Sequence, residues 1–177
     1  KLASGICPVP AALEAGVAVG LGTDGVKENN NLDIFEEMKF AALLQKIGSL
    51  DARVMPAEDV IRTATSIGAR AIGMQDELGS LEAGKKADIV LLELNKPHMS
   101  PVLYGKYENI VPNIVYSASG ADVHTVIVNG QTRVENHKLI DVDMKEMLDQ
   151  YQKHTEALIE RREPFVPDHV SIADVTV

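Results

Sequence analysis

Gly20-Leu21-Gly22-Thr23-Asp24-Gly25, entered from the apolar run Val17-Ala18-Val19, decides how this chain is read. Nearly continuous apolar residues from Val17 to Leu21 predict a short parallel strand buried on both faces. The strand ends in an aspartate, where a parallel α/β barrel presents its catalytic side chains. The competing reading of Asp24-Gly25 is an ordinary turn, which these residues form with no function attached. The local pattern alone does not separate the two. A lone carboxylate also does little chemistry. Hydrolytic chemistry needs an activated water, and a metal supplies it by lowering the water pKa to about 7.

Outward from this stretch, Pro10 to Ala15 reads as a short helix stopped by Gly16. Asn29-Asn30-Asn31 offers caps for a following helix, with Asp33, Glu36 and Glu37 suiting the positive end of its dipole. Leu32, Phe35, Met38 and Leu43 mark its apolar side, and it runs to Ile47 before Gly48. Pro56 announces a second helix from Ala57 to about Ala71, striped by Val60, Ile61, Ala64 and Ile67 and closed by Gly73. Strand, helix, helix is the order found at the tail of an α/β barrel or in a doubly wound sheet.

The character then changes. Leu78 to Gly84 is a glycine-punctuated turn, Ala87 to Leu94 a strand, and Pro97 to Pro112 a long loop. Val123 to Asn129 alternates as a strand does, and Asn129-Gly130 is a strong two-residue hairpin signal into Thr132-Arg133-Val134. Lys138 to Ile140 adds a short strand. A last helix from Asp143 to Arg162 carries Met144, Met147, Leu148, Tyr151, Thr155 and Leu158 on one face, expected to pack on its own protein. The tail from Pro164 to Val177 is expected to be extended. The implied organisation is α/β, with segments 1–76, 77–142 (β-rich) and 143–177.

Composition excludes several classes. The 177 residues are 45% hydrophobic and 24% charged, the balance of a globular protein. No apolar run approaches the ~20 residues of a membrane helix, and Lys1 to Pro10 lacks the apolar stretch of a signal peptide, so a cytoplasmic protein is expected. A net charge of −9 argues against nucleic acid, which needs clustered Lys and Arg. Cys7 is the single cysteine, which excludes an internal disulfide. Beside Pro8 and with no histidine nearby in sequence, it reads as a buried or half-buried thiol rather than a nucleophile.

The five histidines, His98, His124, His137, His154 and His169, form no His-x-His and no pair at the spacing of a local metal site. They read as structural or surface residues, with His98 alone placed to line a substrate cleft or an interface. Gly79-Ser80-Leu81-Glu82-Ala83-Gly84-Lys85-Lys86 nearly spells a phosphate-binding loop. Lys86 replaces the hydroxyl residue that would hold magnesium, and a strand follows where a helix must begin. It is read as a turn.

Taken together, three motifs resemble the amidohydrolase superfamily. Leu21-Gly22-Thr23-Asp24-Gly25 with Asn29-Asn30-Asn31-Leu32-Asp33 resembles its eighth barrel strand and helix. Gly79-x-Leu-x-x-Gly84-Lys-Lys-Ala-Asp88-Ile-Val-Leu-Leu is similar to the segment leading into its small β-sandwich, and Val123-x-x-Val-Ile-Val-Asn-Gly130 to a later strand of that sandwich. Lys1-Leu-Ala-Ser-Gly5 and the Glu36 to Lys46 helix resemble the chlorohydrolase and aminohydrolase branch, which includes methylthioadenosine/S-adenosylhomocysteine deaminases, guanine deaminases and triazine hydrolases.

The resemblance implies the end of a metal-dependent (β/α)8 barrel plus part of a β-sandwich, and deamination of an aminated purine or similar heterocycle. Its metal, zinc or iron, is held by a His-x-His pair, a further histidine and the aspartate matching Asp24, which also shuttles the proton. Of these, only Asp24 is present here. A complete barrel takes ~250 residues, and about 75 precede the β-rich segment. The expectation is a C-terminal fragment, inactive and metal-free alone, with Asp24 its one catalytic and metal-ligating residue. The alternatives are a non-catalytic scaffold or interaction module and a triazine-type chlorohydrolase. A broken barrel leaves strand edges and apolar helix faces uncovered, so the chain is predicted to self-associate or to depend on a missing part. Light scattering that returns a clean monomer contradicts this.

Overall fold

The computed structural model describes residues 3–162. The chain divides into two compact units at Lys138/Leu139.

In the larger unit, α1 (Val9–Glu14) ends at Ala15 and Gly16, the latter at φ 78°. A one-turn helix α2 (Val26–Asn29), which the sequence did not announce, ends on Asn30 in the left-handed conformation. The long helix α3 (Ile34–Ser49) follows. Its cap is Asp33 rather than Asn29 to Asn31: the Asp33 carboxylate accepts the Phe35 N–H at 2.9 Å, while Asn31 donates to Glu36. The helix continues through Gly48 to a left-handed Leu50. Its buried face is Phe35, Met38, Ala42 and Gln45, whereas Leu32 and Leu43 are exposed. Gln45 is buried among apolar residues because its amide donates to the Cys7 carbonyl at 2.7 Å, which satisfies it. The Cys7 side of that link is exposed, contrary to the expected burial of the thiol.

The expected single helix from Ala57 to Ala71 is two, α4 (Ala57–Ala64) and α5 (Ser66–Ala71), broken at Thr65 (φ −129°, ψ −98°). Threonine hydroxyls before and at the break bond back into α4, Thr63 to the Val60 carbonyl at 2.6 Å and Thr65 to that of Ile61 at 2.7 Å. Such back-bonding by β-branched residues bends helices. The break frees the Thr63 carbonyl, which accepts the Leu21 N–H at 3.3 Å. This bond replaces the ladder expected for Val17 to Leu21. The segment pairs with no second strand among the described residues and is not a strand, and Val17 is 54% exposed. Val19 and Leu21 nevertheless pack against the core.

Beyond a turn region that includes Leu78 to Gly84 come β1 (Ile89–Leu92) and two 3-10 turns, Pro97–Met99 and Gly105–Tyr107. A helix α6 (Ile110–Ser117) begins within the last residues of the stretch read as loop, which ended at Pro112, and continues through residues to which the sequence reading gave no element. Pro112 stands in its first turn, where the backbone N–H has no helical partner to lose. Its Val115 is fully buried in one core with Val9, Phe35, Met38, Ala42, Met55, Ala57 and Val60. The core therefore lies among helices α1, α3, α4 and α6.

The sheet is antiparallel, in the order β1-β2-β3-β4, with β2 Val123–Val128, β3 Gln131–Glu135 and β4 Lys138–Leu139. Asn129 (φ 48°) and Gly130 (φ 76°) make the expected hairpin turn between Val128 and Gln131. The Asp88 carboxylate fastens the turn by accepting the Asn129 N–H at 2.7 Å.

The smaller unit is described by α7 (Met144–Arg162). Asp143 accepts the Glu146 N–H at 3.0 Å, and the Lys145–Asp149 and Gln152–Glu156 pairs brace the helix at i,i+4 spacing. Met144, Met147, Leu148, Tyr151 and Leu158 are exposed. The tail from Pro164 lies outside the described residues.

Gly68, inside α5, is a sharp test of this packing. A Cβ there would stand 2.7 Å from the Thr63 carbonyl oxygen, and one on Gly20 would stand 3.3 Å from the Gly68 Cα. Glycine to alanine inside a helix ordinarily stabilises by ~1 kcal/mol. Gly68→Ala is expected to do the opposite, lowering stability by ~1–3 kcal/mol through overpacking, as a reduced Tm in a thermal melt.

Candidate functional site

Asp24 stands at the end of the apolar segment, exposed and in the left-handed conformation at φ 58°. Aspartate tolerates that backbone because its short carboxylate bonds locally. Here Oδ1 accepts the Gly25 N–H at 2.7 Å. The second oxygen has no hydrogen-bond partner among the described residues and is open to solvent. The peptide entering Asp24 is held from outside. Asn29 Nδ2 donates to the Thr23 carbonyl at 2.9 Å and to Glu37 Oε1, on α3, at 2.6 Å. The sequence reading offered Asn29 as a cap and did not couple it to Glu37. Six residues separate Asn29 from Thr23 and eight from Glu37, and only the turn of α2 brings them together.

The helix bearing Glu37 is tied to the sheet by a second network. Asp33 uses Oδ1 to cap α3 and Oδ2 to accept the Gly120 N–H at 2.8 Å. Two residues on, Asp122 is buried, with its carboxylate facing Lys96 at 3.0 Å and His98 Nε2 at 3.0 and 3.1 Å. It also accepts the Ser119 N–H at 2.8 Å, closing a capping box. The signal for it was legible: Ser119-Gly120-Ala121-Asp122 has the Ser-x-x-acid pattern of such a box. His98 thus clamps a buried carboxylate, at its ring edge, rather than standing free in a cleft.

The other described histidines are dispersed. His124 and His137 meet across the hairpin edge-to-face, with ring centroids 5.3 Å apart, and His137 lies 3.4 Å from Glu93. His154 lies on the exposed α7, and His169 is outside the described residues. Among the described residues no three His, Cys, Asp or Glu side chains gather as a metal centre requires. An oxygen of Asp24 has the chemistry of one ligand for zinc or iron. Lys85, in the segment that mimics a phosphate loop, donates to the Gln75 carbonyl at 2.7 Å and the Ser80 hydroxyl at 2.7 Å. It closes a turn before β1, as expected. No helix among the described residues is long and apolar enough to cross a membrane.

Comparison with known proteins follows the same lines. Residues 1–133 match the amidohydrolase family. The chain belongs to that family. It is 47% identical over 160 residues to a 5-methylthioadenosine/S-adenosylhomocysteine deaminase of Desulforudis audaxviator, covering 90% of this chain and 36% of the relative. It is 44% identical over 161 residues to a 5'-deoxyadenosine deaminase of Methanosarcina barkeri, covering 91% and 36%. Among solved structures it resembles a zinc-bound adenosine deaminase from Xanthomonas campestris, with a TM-score of 0.84, 34% identity, and 90% of this chain against 35% of that one. The chain spans about a third of the length of the relatives it matches.

The Asp122 cluster carries a pH signature. Burial pushes its carboxyl up, but bonds from His98, the Ser119 N–H and Lys96 outweigh that and hold it at about 2, below the ordinary 3.8. The stabilisation, ~2 kcal/mol, is present above pH 3.8 and is lost as the pH falls from there through 2. Urea unfolding across that range is expected to show the loss, with a flatter pH dependence in Asp122→Asn.

Proposed function

We propose that this chain is the C-terminal part of a metal-dependent amidohydrolase that hydrolyses the exocyclic C–N bond of an aminated purine nucleoside or similar heterocycle. Asp24 is the residue at its reacting centre. What supports the reading most is Asp24 itself, an exposed carboxylate held at the end of an apolar segment, with one oxygen engaged by Gly25 and the other open. The names of the two relatives, both deaminases at 44% and 47% identity, favour deamination over dechlorination. In this reading residues 17–23 form the last strand of a (β/α)8 barrel once flanked by neighbours. The strands β1 to β4 form part of a small β-sandwich.

Asp24 would contribute one carboxylate oxygen to a zinc or iron ion, with the remaining ligands from outside this chain. The ion, when bound, supplies the polarisation that makes water nucleophilic near neutral pH. The Asp24 carboxylate accepts a proton from the attacking water and returns it to the departing amine. The C–N bond breaks as the new C–O bond forms, and ammonia leaves. An ionised carboxylate accepts and a protonated one donates, so one side chain serves both transfers.

Alone the chain is inactive, because a single carboxylate cannot hold a divalent ion where three or four ligands are needed. Its other partners in this reading are a small heterocyclic substrate and, for the uncovered apolar faces, further copies of itself.

The test compares the chain alone with the chain co-expressed with the preceding two thirds of the Desulforudis audaxviator relative. Elemental analysis of the lone chain is expected to return metal far below stoichiometric, with no ammonia released from 5'-methylthioadenosine. The assembled pair is expected to bind about one ion and release ammonia, and Asp24→Asn to lower that rate by ~10²-fold or more. A metal-loaded pair that hydrolyses no C–N bond overturns the reading.

A further inference from the structure

We propose that Asn29 and Glu37 are positioning residues for Asp24, acting through the peptide plane that enters it. The inference rests on Asp24 being the reacting carboxylate, and names what holds it. The Thr23 carbonyl belongs to the same rigid plane as the Asp24 N–H, and rotation of that plane sets φ of Asp24. Asn29 Nδ2 grips the plane by its oxygen at 2.9 Å and is itself gripped by Glu37 Oε1 at 2.6 Å. Both partners only accept, so the network assigns the amide nitrogen to this position, and its two hydrogens are both used.

The grip is anchored at each end. Glu37 lies on α3 between the buried Phe35 and Met38, and Asp33, which caps that helix, is bonded to Gly120 at 2.8 Å. Asn29 is brought back over the loop by the single turn of α2, which closes on a left-handed Asn30 at φ 67°. Asparagine is among the few non-glycine residues that accept this conformation, so the turn closes there without strain. The Gly25 N–H fixes the Asp24 carboxylate locally, but nothing in that bond sets the plane before it. The Asn29 amide does so. A metal ligand and proton carrier must be held to a fraction of an ångström, and this relay carries the rigidity of the helical core to the exposed loop.

The test uses the full 177-residue chain, isotopically labelled, with the Asp24 φ read from its HN–Hα coupling and its Cα and Cβ shifts. Asn29→Ala and Glu37→Ala are each expected to move Asp24 out of the left-handed region. Glu37→Gln, which keeps an accepting oxygen, is expected to restore it. Methyl shifts of Met38 and Val60 show whether the core is intact. If Asn29→Ala disturbs the core, the Glu37→Ala and Glu37→Gln pair decides. An unmoved Asp24 in a variant with an intact core overturns the proposal, as does Glu37→Gln behaving like Glu37→Ala.

In the assembled pair with the Desulforudis relative's part, kcat is expected to fall tenfold or more in Asn29→Ala with KM within about twofold, the split of an interaction made at the reacting centre. A raised KM at unchanged kcat overturns the proposal. The two readings fail separately. Loss of activity in the unaltered pair removes the enzyme assignment, while the Asp24 φ judges the relay without any metal or turnover.

Discussion

A buried carboxylate that must not be left alone organises this molecule. Asp122 is almost wholly withdrawn from solvent, and a buried charge is tolerated only when it is paired and hydrogen-bonded. Lys96, His98 and the Ser119 N–H meet that requirement from three places in the chain. The Asp122 carbonyl also accepts the Glu93 N–H at 2.9 Å. The segment after β1, the 3-10 turn at His98 and the entry to β2 are thereby held together. Two residues before Asp122, the Gly120 N–H meets Asp33, the cap of α3. The sheet and the helical core are joined at this point by polar bonds.

The Asp24 loop depends on that junction indirectly. Its support comes from helices: Leu21 bonds the carbonyl released at the Thr65 break, and Asn29 bonds Glu37 on α3. A backbone break in one helix and a capped end in another do here what flanking strands do in a sheet. The result is an exposed carboxylate presented on a well-braced segment. Among the described residues the brace is complete, and no three His, Cys, Asp or Glu side chains gather beside it.

Much of the local structure was legible. Asn129-Gly130 produced its hairpin because both residues accept positive φ. Gly16 stopped α1, and α7 begins beside Asp143, which caps its first turn. Other readings failed where local pattern met a tertiary partner. Pro112 closes the stretch read as loop, yet in a first turn it removes no bond, and burial of Val115 made the helix worthwhile. The stripe through Ala57 to Ala71 is continuous in sequence, but Thr63 and Thr65 bend it. Leu32 and Leu43 are as apolar as Phe35 and Met38, and only the direction of the packed neighbours chose between them.

The sequence by itself determined the family and the turns, because these rest on residue identity at short range: Asn-Gly between alternating stretches, glycine where φ is positive. Tertiary structure alone decided that Val17 to Leu21 is braced by a helix break instead of a ladder, and that Asn29 grips the plane before Asp24. It also decided that Asp122, unremarked in the sequence, sits at the centre of a charged cluster. Those outcomes depend on which distant carbonyl or cation arrives beside a given group, and hydrogen bonds reach only ~3 Å. No pattern along the chain encodes that arrival; the packing of α3, α4 and α6 does.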